Sequence, residues 1–208
     1  MISQNKITPL PVQKIIRYLI LIYPKKSSIL QISKTQKLSY NSTYKYILSL
    51  QQEQIISITK GLNGMYCTLT PTPESILFAS YIDTNCTANF LRQKVFFKKI
   101  IQDIITSNEV SLLLLFGSYA KGLEQRESDI DLLAVTEHKT AITKLSSYLS
   151  LKYNKEINIL PITSKEWITM LHSKERTVVT EAVESHIILF GYEKYWRDII
   201  SKKHILNE

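Results

Sequence analysis

Glycine is scarce in this 208-residue chain, which has only Gly61, Gly64, Gly117, Gly122 and Gly191. There is therefore no flexible Gly-rich linker, and each glycine marks a place where the backbone must turn sharply or admit a neighbour. Cysteine is scarcer still. Cys67 and Cys86 stand alone with no second pair, which excludes a zinc cluster or a disulfide framework. Buried reduced thiols and a cytoplasmic location are the expectation. Long apolar runs are missing. Tyr18–Tyr23 and Leu112–Phe116 fall far short of the ~20 residues that a membrane helix needs. The opening MISQNK lacks the charged-then-apolar order of a signal peptide. Acidic residues are in deficit, 18 against 26 Lys and Arg, for a net charge of +8. A polyanionic partner follows as the first functional expectation.

The excess charge is uneven. Residues 1–83 hold nine basic and three acidic side chains, whereas 84–208 hold seventeen and fifteen. Nucleic acid should therefore be sought at the N-terminal part. There, Pro11 suits a first helical turn, and Val12, Ile15, Ile16, Leu19, Ile20 and Tyr23 keep the helical period up to Pro24. Ser27 or Ser28 can cap a second helix running to about Gln36. A third helix is expected from about Asn41 to Glu53, with Thr43, Tyr46, Ile47 and Leu50 on one face. Ile55–Lys60 and Met65–Leu69, joined by the tip Gly61-Leu62-Asn63-Gly64, read as a hairpin.

Three helices and a two-stranded wing resemble the winged helix-turn-helix family, most closely along LSYNSTYKYILSLQQEQIISITKGLNGMYCTLT. The resemblance implies that the third helix enters the DNA major groove and offers Asn41, Ser42, Tyr44 and Lys45 to base edges. Lys34, Lys37, Lys60 and Asn63 would meet phosphates. Gln54 stands where that family often has glycine. Beyond Pro71 and Pro73, a short helix over Glu74–Tyr81 and a long one over Thr87–Thr106 are expected. The second would carry a basic stripe of Arg92, Lys94, Lys98 and Lys99, read as a solvated face.

The chemistry lies in VSLLLLFGSYAKGLEQRESDIDLLAV, residues 110–135. Val110–Phe116 is too short for a helix and too apolar for a surface, so it reads as a buried strand. Gly117-Ser118 follows. Glycine at a strand end lets backbone N–H groups approach a phosphate, and the dipole of a helix starting there adds positive potential. Ser118 adds a hydroxyl donor, and Lys121 or Arg126 a charge. A second strand is expected to begin at Ser128. Asp129 and Asp131, two apart, then share a face and repel each other unless a cation lies between them. Mg²⁺ prefers such oxygen donors and is completed by substrate phosphates.

This strand–Gly-Ser–helix–Asp-x-Asp–strand segment resembles the minimal nucleotidyltransferases of the DNA polymerase beta superfamily, over about residues 87–191. The resemblance implies an α/β (α+β) fold, with a mixed sheet flanked by helices. It implies a nucleoside triphosphate, expected to be ATP, held by Gly117, Ser118 and Lys121, with Mg²⁺ on Asp129 and Asp131. A nucleoside monophosphate would pass to an acceptor hydroxyl. Active members place a third carboxylate on a later strand, which here matches Asn158 within KEINILPITSKEW. Asn158 can offer an oxygen to the metal but cannot act as a base. Glu156, two residues earlier, is the candidate to replace it.

Lys165–His172 and Glu175–Glu184 read as helices, His186–Phe190 as a strand, and Trp167 and Trp196 as packing residues. The expected organisation is a DNA-binding winged domain at 1–83 and a nucleotidyltransferase domain at 84–208. Besides an enzyme, two readings stand: a transcriptional regulator whose degenerate transferase domain senses a nucleotide, and an antitoxin of the nucleotidyltransferase type with a toxin partner. A homodimer is compatible with each.

Overall fold

A computed structural model describes residues 9–205 except 24, 63, 108 and 109, without the side chains of 200–205. Pro24 and Asn63 therefore lie outside the described residues. The chain separates into two compact units, Met1–Ile82 and Asp83–Glu208.

In the first unit, helix α1 (Leu10–Ile22) has proline in its first turn and buries Val12, Ile15, Ile16, Leu19 and Ile20. Helix α2 (Ile29–Gln36) is capped by Ser28, whose hydroxyl accepts from the Gln31 N–H. Ser39 caps α3 (Tyr40–Gln52) in the same way. The turn after α3 is left-handed at Gln54, with φ 60°. The Ile55 N–H reaches back to Leu50 O at 3.0 Å and closes the helix without a glycine. Strands β2 (Ile56–Gly61) and β3 (Gly64–Leu69) form the expected antiparallel hairpin. A two-residue strand, β1 (Ser27–Ser28), pairs with β3 on the other side, giving the order β1-β3-β2. Cys67 is buried, its thiol pushed up to about 12 by desolvation, and is inert as a nucleophile.

The helices between the Pro71/Pro73 turn and residue 106 depart from expectation. Helix α4 runs unbroken from Pro73 to Gln93, and α5 covers Phe96–Thr106. The break falls at Lys94–Val95, not at the polar run Asp83–Cys86. That run contains no glycine or proline, and its polar groups find tertiary partners. Asp83 is buried and accepts from the Trp196 indole N–H at 3.0 Å. Thr87 donates to Ile188 O at 2.7 Å.

The second unit is built on a four-stranded mixed sheet of β4 (Leu112–Phe116), β5 (Ile130–Val135), β6 (Ile157–Ile162) and β7 (Ile187–Phe190), in the order β6-β5-β4-β7. β5 is parallel to β6 and antiparallel to β4, and β4 is antiparallel to β7. The parallel pair is joined by a crossover helix, α7 (Lys139–Tyr153). On one face, Phe97, Ile100 and Ile104 of α5 and Ile142 and Leu149 of α7 pack on Leu113, Leu115, Ile130, Leu132, Ile157 and Ile159. Helices α8 (Ser164–His172), α9 (Val178–Glu184) and α10 (Tyr192–Ile205) complete the unit, and α9 and α10 reach β4. Trp167 and Trp196 are fully buried there, each with its indole N–H on a carboxylate, Asp198 and Asp83.

β6 is an edge strand whose outward backbone groups at Ile157 and the Ile159 N–H are taken by side chains. Ser146 Oγ donates to Ile157 O at 2.6 Å and accepts from the Ile159 N–H at 3.1 Å. Ser150 Oγ accepts from the Ile157 N–H at 3.1 Å. Pro161, the next outward position, has no N–H to offer. Such an edge cannot template another strand, and α7 is fastened to the end of the sheet that carries the site.

Candidate functional site

The site lies where the C-terminal end of β4 meets the N-terminal ends of β5 and β6. Register puts Phe116 opposite Asp131, and Asp131 opposite Asn158. Ile130, Leu132, Ile157 and Ile159 turn into the core beneath α5 and α7. Alternation along the strands therefore sends Asp129, Asp131 and Asn158 to the other face. There the sheet is open: Asn158 and Glu156 are exposed, and Leu160 is 39% exposed. Asp129 lies one residue before β5, which begins at Ile130, not at Ser128. The Ile130 N–H donates to Glu156 O at 2.9 Å, extending the ladder to the level of Asp129.

Gly117 opens α6 (Gly117–Lys121) with φ 70°. A Cβ there would lie 2.3 Å from Asp131 Oδ2. The glycine thus serves two needs: a left-handed backbone, and close contact between the turn that opens α6 and the Asp131 carboxylate. No side chain caps the helix, so its first N–H groups remain for a ligand. At five residues α6 is too short for the dipole expected from the sequence to weigh much. An anion at this turn would rest on the individual N–H groups and the Ser118 hydroxyl. Tyr119 anchors α6 in the core, edge-on to Phe97 at 5.3 Å between ring centroids. Lys121 ends the helix and is exposed.

Desolvation raises the pKa of Asp131 above the ordinary carboxylate range, and the negative charges of Asp129 and Glu156 push the same way. A hydrogen bond with the Asn158 side chain opposes this. A divalent cation would relieve the crowding, and the donor set, two carboxylates and an amide oxygen, suits a hard ion such as Mg²⁺. Among the described residues, no group of three or more His, Cys, Asp or Glu side chains is placed to hold a metal. Glu156 contributes field at Asp131, and the side chain opposite Asp131 is the neutral Asn158.

The family model for polymerase beta nucleotidyltransferases matches residues 98–195. A protein of Methanocaldococcus jannaschii named as a putative protein adenylyltransferase, MJ0141, is 40% identical over 78 residues, 35% of this chain and 76% of that protein. The chain belongs to the polymerase beta nucleotidyltransferase family. Among solved structures, a toxin–antitoxin determined with AMP-PNP is similar to 51% of this nucleotidyltransferase and 89% of its own chain, at 22% identity and a TM-score of 0.36. The Lactococcus lactis protein ZitR, solved as a point mutant, is similar over 73% and 80%, at 14% identity and a TM-score of 0.32.

The remaining candidates lie in the first unit. Asn41, Ser42 and Lys45 are exposed along the start of α3, and Lys60 is exposed near the tip of β2. Ser42 is partly committed to the cap, accepting from Ser39 Oγ at 2.8 Å. Tyr44 is half-buried and stacks on Tyr40, with ring centroids 6.3 Å apart. Sequence reasoning missed one residue near the candidate site, Lys155, whose ammonium donates to Arg126 O at 2.7 Å. A lone lysine before a strand carries no signal of such a contact.

Proposed function

We propose that this nucleotidyltransferase moves a nucleoside monophosphate from a Mg²⁺-bound nucleoside triphosphate, ATP first, to a hydroxyl of an acceptor protein. The observation that carries the reading is the apposition of Gly117 and Asp131, which joins an uncapped phosphate-binding turn to a crowded carboxylate pair. The relative named as a putative protein adenylyltransferase supports adenylyl transfer and a protein acceptor. Backbone N–H groups of Gly117 and Ser118, the Ser118 hydroxyl and Lys121 hold the phosphates. Asp129, Asp131 and the Asn158 oxygen hold the metal, which when bound offsets charge on the leaving pyrophosphate. The acceptor oxygen forms a bond to the α-phosphorus, the α–β anhydride bond breaks, and pyrophosphate departs. Glu156 takes the hydroxyl proton, since it is the carboxylate beside the pair left free of ligand duty.

The first unit is proposed to be a winged helix-turn-helix that binds double-stranded DNA. Asn41, Ser42, Tyr44 and Lys45 on α3 would face base edges, and Lys60 on the wing a phosphate. Three helices followed by the β2–β3 hairpin, in a segment of net charge +6, support it.

Incubation with Mg²⁺, each α-labelled nucleoside triphosphate and cell extract tests the enzyme reading. Label should pass to protein with the wild type and not with Asp129→Ala/Asp131→Ala. Asn158 favours a second reading, a regulator that senses a nucleotide without turning it over. Mg²⁺-dependent nucleotide binding without transfer would select it.

A further inference from the structure

The eight-residue connection from Gly122 to Asp129 contains no helix or strand, yet it delivers Asp129 to the site. Such a segment is held by side chains or not at all. At its start the Leu123 N–H donates to Ser118 O at 3.0 Å, and Lys94 pairs with Glu124 at 2.5 Å. In its middle, Ser128 Oγ accepts from the Gln125 N–H at 2.8 Å, and the Ser128 N–H donates to Gln125 O at 3.1 Å. The far end is bracketed by one short stretch of chain, Lys155-Glu156. The Lys155 ammonium donates to Arg126 O at 2.7 Å, and Glu156 O accepts from the Ile130 N–H at 2.9 Å. Glu127, Ser128 and Asp129 lie between those two tethers.

Lys155 is fixed in turn. Its N–H donates to Ser150 O at 3.2 Å, closing α7 after the left-handed Asn154. Its ammonium also stands 6.0 Å from the centre of the Tyr119 ring, on the helix that begins with Gly117-Ser118. One side chain therefore bonds the loop that carries Asp129 and lies over a ring of the helix that carries the phosphate-binding turn, from a position next to Glu156 and three residues before Asn158.

We propose that Lys155 is a positioning residue, clamping the loop before β5 so that Asp129 meets the metal in register with Asp131. The assignment rests on the nucleotidyltransferase reading of the site. A charge-assisted hydrogen bond to a backbone carbonyl is stronger than a neutral one. Groups that hydrogen-bond a metal's ligands directly govern affinity by about 10–100-fold, and Lys155, which acts through the loop backbone, is expected at the lower end of that range.

The test compares wild type, Lys155→Met and Lys155→Arg in the full chain, with Asp129→Ala/Asp131→Ala as the control for metal binding. Two quantities are read: hydrogen exchange of the amides in 123–129 without metal, and the thermal shift on titration with Mg²⁺, alone and with ATP. Lys155→Met should speed exchange in that loop by on the order of tenfold, with other segments unchanged. Its Mg²⁺ affinity should fall by about tenfold, and Lys155→Arg should recover part of both. Unchanged loop exchange overturns the proposal, as does faster exchange with unaltered Mg²⁺ affinity. A wild type with no Mg²⁺ response dependent on Asp129 and Asp131, with ATP or without it, removes the metal-site reading, and the positioning role with it.

Discussion

Single residues show how closely the site is fitted. Asp131 sits against Gly117, beside Asp129 and Asn158, with its pKa raised chiefly by desolvation. A carboxylate raised in the folded state favours folding only while protonated, and that contribution is lost as pH rises through the folded value. Asp131→Asn should therefore melt higher than the wild type at neutral pH without metal. The advantage should fade as the medium is acidified through the carboxylate range, and the stabilisation by Mg²⁺ should be lost. Melting curves across pH, with and without Mg²⁺, check both outcomes. Gly191 is a backbone case. Its φ is 84°, and a Cβ would lie 2.4 Å from Ser111 O and 2.9 Å from Leu112 Cα. Neither neighbour is a flexible side-chain end, so Gly191→Ala should cost on the order of 2–4 kcal/mol, combining left-handed strain with displacement of β4. Denaturant unfolding measures it.

At the scale of elements, the sheet end is held by caps and edge contacts. Thr163 and Glu166 form a capping box at the start of α8, and Lys139 at the start of α7 bonds the same carboxylate. The Glu166 pKa is lowered to about 2, first by Lys139 and then by the Thr163 backbone. A lowered carboxylate contributes stability that is present above its unfolded value, near 4.5, and lost as pH falls toward about 2. Glu166→Gln should therefore lower the melting temperature near neutral pH, and the gap from wild type should close across that window. On β6, Ser146→Ala would leave Ile159 N–H without its partner, at a cost of about 1–3 kcal/mol. It would also open an edge to strand pairing, so chemical denaturation and light scattering should both respond.

At the scale of the whole molecule, two compact units divide charge and chemistry. The first carries most of the net charge and the second the carboxylate pair. If α3 and the hairpin engage DNA as proposed, binding should weaken steeply with salt. Lys60→Ala should reduce the salt slope by about one without changing sequence preference, whereas Asn41→Ala should relax preference at one base position. Fluorescence anisotropy over a salt series separates these. No described helix is long and apolar enough to cross a membrane.

Much of this was written locally. The helical period of α1, the Ser28 and Ser39 caps and the β2–β3 turn depend on residues a few positions apart, as does the Gly-Ser to Asp-x-Asp spacing. Helix α7 was not legible, because its buried positions are sparse and its serines serve the edge of β6. The continuous α4 was misread because Asp83 is polar in sequence but buried against Trp196 in the fold. The family resemblance matched Asn158 to the carboxylate pair, but no spacing along the chain did; the parallel strand pair that sets it opposite Asp131 joins residues separated by a whole helix. Only tertiary structure placed Lys155 on the loop that carries Asp129. Motifs record chemistry that lies close along the chain. The residues that aim this chemistry come from distant strands and helices, where no spacing rule applies.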